Sequence, residues 1–192
     1  PSTINEIKDS FHTLLTVAYF ANMAYDFAGK YFIQIRKNNS KVLNLTITEL
    51  DKRPFAFVSG SENLNKNKWD AVTTQQVVKE ILSHNSRHVW LIKNLIIAQI
   101  FELWETSIRN KVAGLLGKKQ KEVESDLFGD LGNLRNDILH NKHKASKEHS
   151  SKNKVINWFK ENDEINFDTA QLNGLDKLIS GELDKLLEIT TL

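Results

Sequence analysis

Ser125-Asp126-Leu127-Phe128-Gly129-Asp130-Leu131-Gly132-Asn133-Leu134-Arg135-Asn136-Asp137-Ile138-Leu139-His140-Asn141 is the stretch whose reading decides the fold. Leu127, Leu131, Leu134 and Ile138 recur at steps of four, three and four, which lines them up on one face of an α-helix. At about 100° per residue, Asn136 and His140 project roughly opposite that apolar stripe, and Arg135 lies on its flank. The polar residues therefore point away from the core that their own helix helps to build.

The same pattern continues outward in both directions. Ile4, Ile7, Phe11, Leu14, Ala18, Ala21, Tyr25, Ala28, Phe32 and Ile35 step by three and four, predicting a long first helix over about 3–37, with Gly29 a local weak point. Val89, Trp90, Ile92, Ile96, Ile97, Ile100, Phe101, Trp104, Ile108 and Val112 predict a second long helix over about 87–116, apolar around much of its circumference and ended by Gly117. Between them, Val42–Ile47 and Phe55–Val58 read as short strands, and 63–68 as a polar loop. Thr73 or Thr74 is expected to cap a short helix reaching Leu82. After the opening stretch, residues 142–154 read as a lysine-rich loop, 155–160 as a short helix and 165–167 as extended. Thr169 is expected to cap a last amphipathic helix running to about Ile189. The expected fold is mainly all-α: one domain over 1–192, a bundle of four to five helices with a small extended insertion at about 39–70.

Composition narrows the function classes. The 192 residues, 40% hydrophobic and 26% charged, suit a globular domain with a sizeable core. Cysteine is absent, which excludes disulfides, thiol catalysis and thiolate metal sites. No segment approaches a membrane span and no secretion signal is evident, so a cytoplasmic protein without membrane contact is expected. The net charge of +2 permits RNA binding without requiring it.

Arg135 and His140 are the residues with chemistry to offer. Arginine otherwise occurs only at Arg36, Arg53, Arg87 and Arg109. Its guanidinium is a permanent cation that fits a phosphate in two places, while histidine exchanges a proton near neutral pH. RNA is cut without metal when its own 2′-OH attacks the adjacent phosphorus. That step needs proton transfer, suited to His140, and stabilisation of a negatively charged phosphorane, suited to Arg135. Asn136, one turn before His140, is placed to hold the imidazole or a phosphate oxygen. On a regular helix Arg135 and His140 diverge by about 140°. Two copies facing each other across a two-fold axis would bring both pairs into one cleft, so a homodimer through this helix is expected.

A helical body, a long second helix carrying Glu105-Thr106-Ser107-Ile108-Arg109, and Arg135-Asn136 followed after three residues by His140 resemble the HEPN superfamily. The resemblance covers the first helix and most of the chain from about residue 70. It implies a metal-independent endoribonuclease, without cofactor, that dimerises through the motif helices and serves in toxin–antitoxin, abortive-infection or antiphage defence, with an antitoxin or defence-system partner. It assigns Arg135, His140 and Asn136 to catalysis and Glu105 and Arg109 to a supporting role. Some relatives carry a modifiable tyrosine two residues after the histidine; this chain has Lys142 there.

Blander readings stand beside these. Arg135 would pair with a carboxylate such as Asp137 or Glu105, leaving an ordinary polar face. Glu105 and Arg109 would form an intrahelical ion pair. Lys142, Lys144 and Lys147, with Lys152 and Lys154, form either an RNA-phosphate track or a solvated loop. His84 and His88 have metal-ligand spacing but nothing to complete a shell, and His143 and His149 read as loop residues. Trp90, Trp104 and Trp158 are expected in the core, and Trp69 is the one tryptophan placed to stack on a base. The alternative function is a catalytically inactive HEPN-like RNA- or nucleotide-binding or dimerisation module.

Overall fold

A computed structural model describes residues 2–57, 71–83 and 87–188. In chain order its elements are α1 (Ser2–Leu43), α2 (Ile47–Asp51), β1 (Pro54–Phe57), β2 (Ala71–Thr74), α3 (Gln75–Ile81), α4 (Arg87–Leu103), a π-helical segment Trp104–Ile108, α5 (Arg109–Leu116), a 3-10 turn Gln120–Glu122, α6 (Asp126–His140), α7 (Lys147–Lys152) and α8 (Thr169–Glu188). The fold is mainly all-α. It divides into two compact units, one of Pro1–Phe20 with Trp90–Leu192 and one of Ala21–Val89.

The first unit is a helical bundle built on the expected stripes, except that α1 buries Leu15 fully and Leu14 only partly. Ile7, Phe11 and Leu15 of α1, Ile97 and Ile100 of α4, Leu127, Leu131, Leu134 and Ile138 of α6, and Leu172, Leu175, Ile179 and Leu183 of α8 are all buried in one core. Trp104 stacks on Phe128 with ring centroids 3.8 Å apart, and Phe11 closes on the same ring at 5.5 Å. Trp104 is fully buried as expected, whereas Trp90 and Trp158 are only half-buried. Trp90 sends its indole N–H to the Ile165 carbonyl, and Asn94 donates to the same oxygen at 2.8 Å. Lys93 donates to the Phe167 carbonyl. Burial holds the Lys93 ammonium below its ordinary pKa, opposed by the nearby Asp168 charge. Together these donors pin the extended segment around Ile165 and Phe167 against α4.

In the second unit α1 continues to Leu43, and β1 pairs antiparallel with β2, Phe55 opposite Thr73. Phe32 meets Phe55 edge-on at 5.4 Å. A buried Arg36 donates to the Asp51 carboxylate, which also takes Lys79 at 3.1 Å. Gly29 is required by close packing: a Cβ there would meet the Leu82 carbonyl oxygen at 2.4 Å.

Several local expectations need correction. Val42–Ile47 is not a strand: α1 includes Val42 and Leu43, Asn44 stops it at φ +50°, and Thr46 begins α2 in a reciprocal capping pair with Glu49. The apolar run is too short to distinguish a strand from helix ends, and the cap decides. Residues 142–154 are not all loop, because Ser146 accepts the His149 N–H at 3.2 Å and starts α7. Residues 155–160 form no helix. The Asp130 carboxylate takes the N–H groups of Lys154, Val155 and Ile156, which holds that backbone in an open turn. Thr169 does not cap α8; Asp168 does, accepting the Gln171 N–H at 2.7 Å while Gln171 accepts from Asp168 at 2.9 Å. The cap of α3 is Thr74. Val58, the 63–68 loop, Trp69 and His84 lie outside the described residues.

Candidate functional site

Ser125 starts α6 by accepting the Phe128 N–H at 3.3 Å. The helix then carries three kinds of face. Leucines and Ile138 are buried in the core. Asp130 and Asp137 are also buried, against the segment that follows the helix. Asn136 and His140 are exposed and Arg135 is half-buried, on the sides the sequence assigned to them.

Arg135 donates from Nη1 to Asn136 Oδ1 at 3.1 Å, and no carboxylate pairs with it among the described residues. Both anions expected to neutralise it are committed elsewhere. Asp137 accepts the Ser146 N–H at 2.8 Å and faces His149 Nδ1 at 2.7 Å. Glu105 takes Arg109 Nη1 at 2.8 Å, the intrahelical pair of the blander reading. Asn136 does not hold the His140 ring; its carbonyl oxygen serves Arg135. The side chain of His140, the last residue of α6, makes no hydrogen bond or ion pair among the described residues.

The π-helical segment contains Glu105, and Arg109 directly follows it. Its wide turn closes with the Arg109 N–H bonded to the Trp104 carbonyl, which shifts the register of the residues around it. Arg109 then reaches the Val123 carbonyl through Nε at 3.0 Å, and Gln120 caps the Glu105 carbonyl at 2.8 Å. Gly132 allows α4 and α6 to close up, since a Cβ there would meet Phe101 at 2.9 Å. Above that contact lies a groove of about 420 Å³ lined by Glu105, Arg109, Ser125, Asn133 and Asn136 among others. Asn136, Glu105 and Arg109 thus share one groove, and Arg135 is tied to Asn136 at its edge. Arg135 and His140 are not brought together within one chain.

Comparison of the chain with protein-family models, with curated proteins and with solved structures finds no match in any of the three.

The lysines divide. Lys152 pairs with Glu148 and Lys154 with Asp126, both at 2.7 Å. The Lys152 hydrogen bond, then its charge and that of His149, hold the Glu148 carboxyl below its ordinary pKa; Asp126 raises Lys154 in the same way. Lys142, Lys144 and Lys147 are exposed and make no ion pair among the described residues. They follow α6 closely, with Lys142 and His143 turning the chain at φ +52° and +62°. No group of three metal-ligating side chains occurs among the described residues, and no described helix is long and apolar enough to cross a membrane.

His143 lies in the turn that follows α6, as its loop reading expects, whereas His149 does not lie in a loop. The His143 ring packs tilted against Trp90, with centroids 4.7 Å apart, and meets Asn94 at 3.3 Å. His149 lies in α7 with its ring on Asp137. The serine three residues before His149 is a capping signal that would have placed it on a helix, but nothing in the linear order pairs it with Asp137, twelve residues earlier.

Proposed function

We propose that this chain is a metal-independent endoribonuclease of the HEPN type, acting in the cytoplasm as a homodimer in a toxin–antitoxin, abortive-infection or antiphage setting. The observation that supports it is the uncompensated Arg135 guanidinium beside Asn136 on α6. A cation held on a helix, with both carboxylates expected to neutralise it engaged elsewhere, is available to an outside anion, and a phosphodiester fits its fork. His140, one turn after Asn136, is exposed, and an imidazole there suits proton transfer.

In this reading the 2′-oxygen of RNA attacks the neighbouring phosphorus and gives its proton to His140. Arg135 of the partner subunit stabilises the charge that gathers on the non-bridging oxygens. Asn136 orients Arg135, Glu105 and Arg109 shape the groove wall, and Lys142, Lys144 and Lys147 attract the backbone of the RNA. Dimerisation through α6 answers the divergence of Arg135 from His140 around one helix.

The test is incubation of the purified protein with single-stranded RNA in excess EDTA. Cleavage to fragments ending in 2′,3′-cyclic phosphate is expected, with His140→Ala lowering the rate by about 10²–10⁴-fold while the circular dichroism spectrum is retained. Full activity in that variant removes His140 from catalysis. Salt-sensitive RNA binding without products favours the inactive binding module instead.

A further inference from the structure

We propose that His149, held by Asp137, is the second proton-transfer residue of this site: the general acid that protonates the departing 5′-oxygen, with His140 as the base. The inference rests on the ribonuclease reading above. Transesterification of RNA moves two protons, one off the 2′-OH and one onto O5′, and the sequence motif supplies a single imidazole.

The geometry supplies another. Asp137 is buried, with one carboxylate oxygen on the Ser146 N–H at 2.8 Å and the other 2.7 Å from His149 Nδ1. A carboxylate oxygen accepts, so Nδ1 carries the hydrogen and Nε2 is left as the atom that exchanges a proton with substrate. The same arrangement orients imidazoles in hydrolytic triads. The Asp137 side chain is 3% exposed, whereas that of His149 is 22% exposed, so the anchor is sealed while the ring still reaches solvent. A negative group beside the ring matches the charge of an imidazolium donor. No carboxylate bonds to His140 among the described residues, and it suits the acceptor.

Helix spacing puts the anchor of His149 beside His140 on the surface of α6. His140 follows Asp137 by three positions, a separation that puts Cβ atoms about 5–6 Å apart on a helix surface. His149 touches Asp137 and so enters the neighbourhood of His140. Arg135, two positions before Asp137, lies about 160° around the helix from it. Acid and base therefore come from one protomer and the guanidinium from the other.

The step balances. The 2′-oxygen forms its bond to phosphorus as its proton passes to His140. The P–O5′ bond breaks with its electron pair on O5′, which takes the proton from His149 Nε2. The products are a 2′,3′-cyclic phosphate and a 5′-OH. Water then returns a proton to His149 and removes one from His140.

His149→Asn tests this, because the asparagine amide can donate to Asp137 from near the Nδ1 position while Nε2 is deleted. On ordinary RNA a loss of about 10²–10⁴-fold in single-turnover rate is expected, with thermal unfolding unchanged. On RNA whose scissile 5′-oxygen is replaced by sulfur, a leaving group that departs without protonation, the loss should shrink below about tenfold, whereas His140→Ala stays impaired on both substrates. An equal loss on both substrates in His149→Asn, or no loss on either, overturns the proposal while leaving the ribonuclease reading in place. A wild-type protein that cuts neither substrate overturns that reading and this inference with it.

Discussion

Asp130 shows what a single residue does here. Its carboxylate accepts three successive backbone N–H groups, from Lys154, Val155 and Ile156, and Ile156 is fully buried. Replacing Asp130 with Ala leaves those donors facing a hydrocarbon wall, and each buried unsatisfied group costs about 1–3 kcal/mol. Partial access of water to the exposed Lys154 and Val155 reduces the sum. Asp130→Ala is therefore expected to lose about 2–4 kcal/mol in urea unfolding, with the midpoint lowered and the slope unchanged. Asp130 and Asp137 occupy the motif helix on the flank of its apolar stripe. Their burial is legible only once residues 144–156 are seen folded over them.

At the scale of elements, the helices follow from spacing, while their ends and closest approaches follow from caps and glycines. Gly29 weakens α1 as an isolated helix, yet it stands where α1 meets the end of α3, 2.4 Å from the Leu82 carbonyl measured from an added Cβ. A backbone oxygen cannot rotate aside, so Gly29→Ala is expected to destabilise by about 1–3 kcal/mol despite its better helix propensity. Gly181 in α8 is the control. A Cβ there meets nothing within 4 Å, and Gly181→Ala is expected to stabilise by about 0.5–1 kcal/mol. Differential scanning calorimetry of the two variants should show shifts of opposite sign. The same physics explains the misread segments. Val42–Ile47 and 155–160 have apolar patterns short enough for either structure, and the backbone N–H groups accepted by Thr46 and Asp130 choose between them.

At the scale of the whole molecule, the two-subunit site carries its own test. In light scattering the protein should have a mass near 44 kDa, twice the 22.0 kDa chain. Neither Arg135→Ala nor His140→Ala alone should cut RNA efficiently, but mixing the two after dissociation should recover activity. A mixed dimer can assemble one intact site from the arginine of one chain and the histidine of the other. Monomeric protein at working concentration, or no recovery on mixing among confirmed mixed dimers, counts against the shared cleft. The divergence of Arg135 and His140 on α6 is what makes this scale matter.

Sequence alone determined the helical character, the long apolar stripes of α1, α4 and α6, the Glu105–Arg109 pair and the outward direction of Asn136 and His140. All of these depend on residues within a few turns of one another, so periodicity suffices. Tertiary structure decided which partners the carboxylates take, leaving Arg135 without one among the described residues and setting His149 on Asp137. It also decided that 155–160 stays open and that β1 finds β2. Those outcomes join residues distant in the chain, and their energy comes from burial and hydrogen bonds that exist only after the chain has folded back on itself.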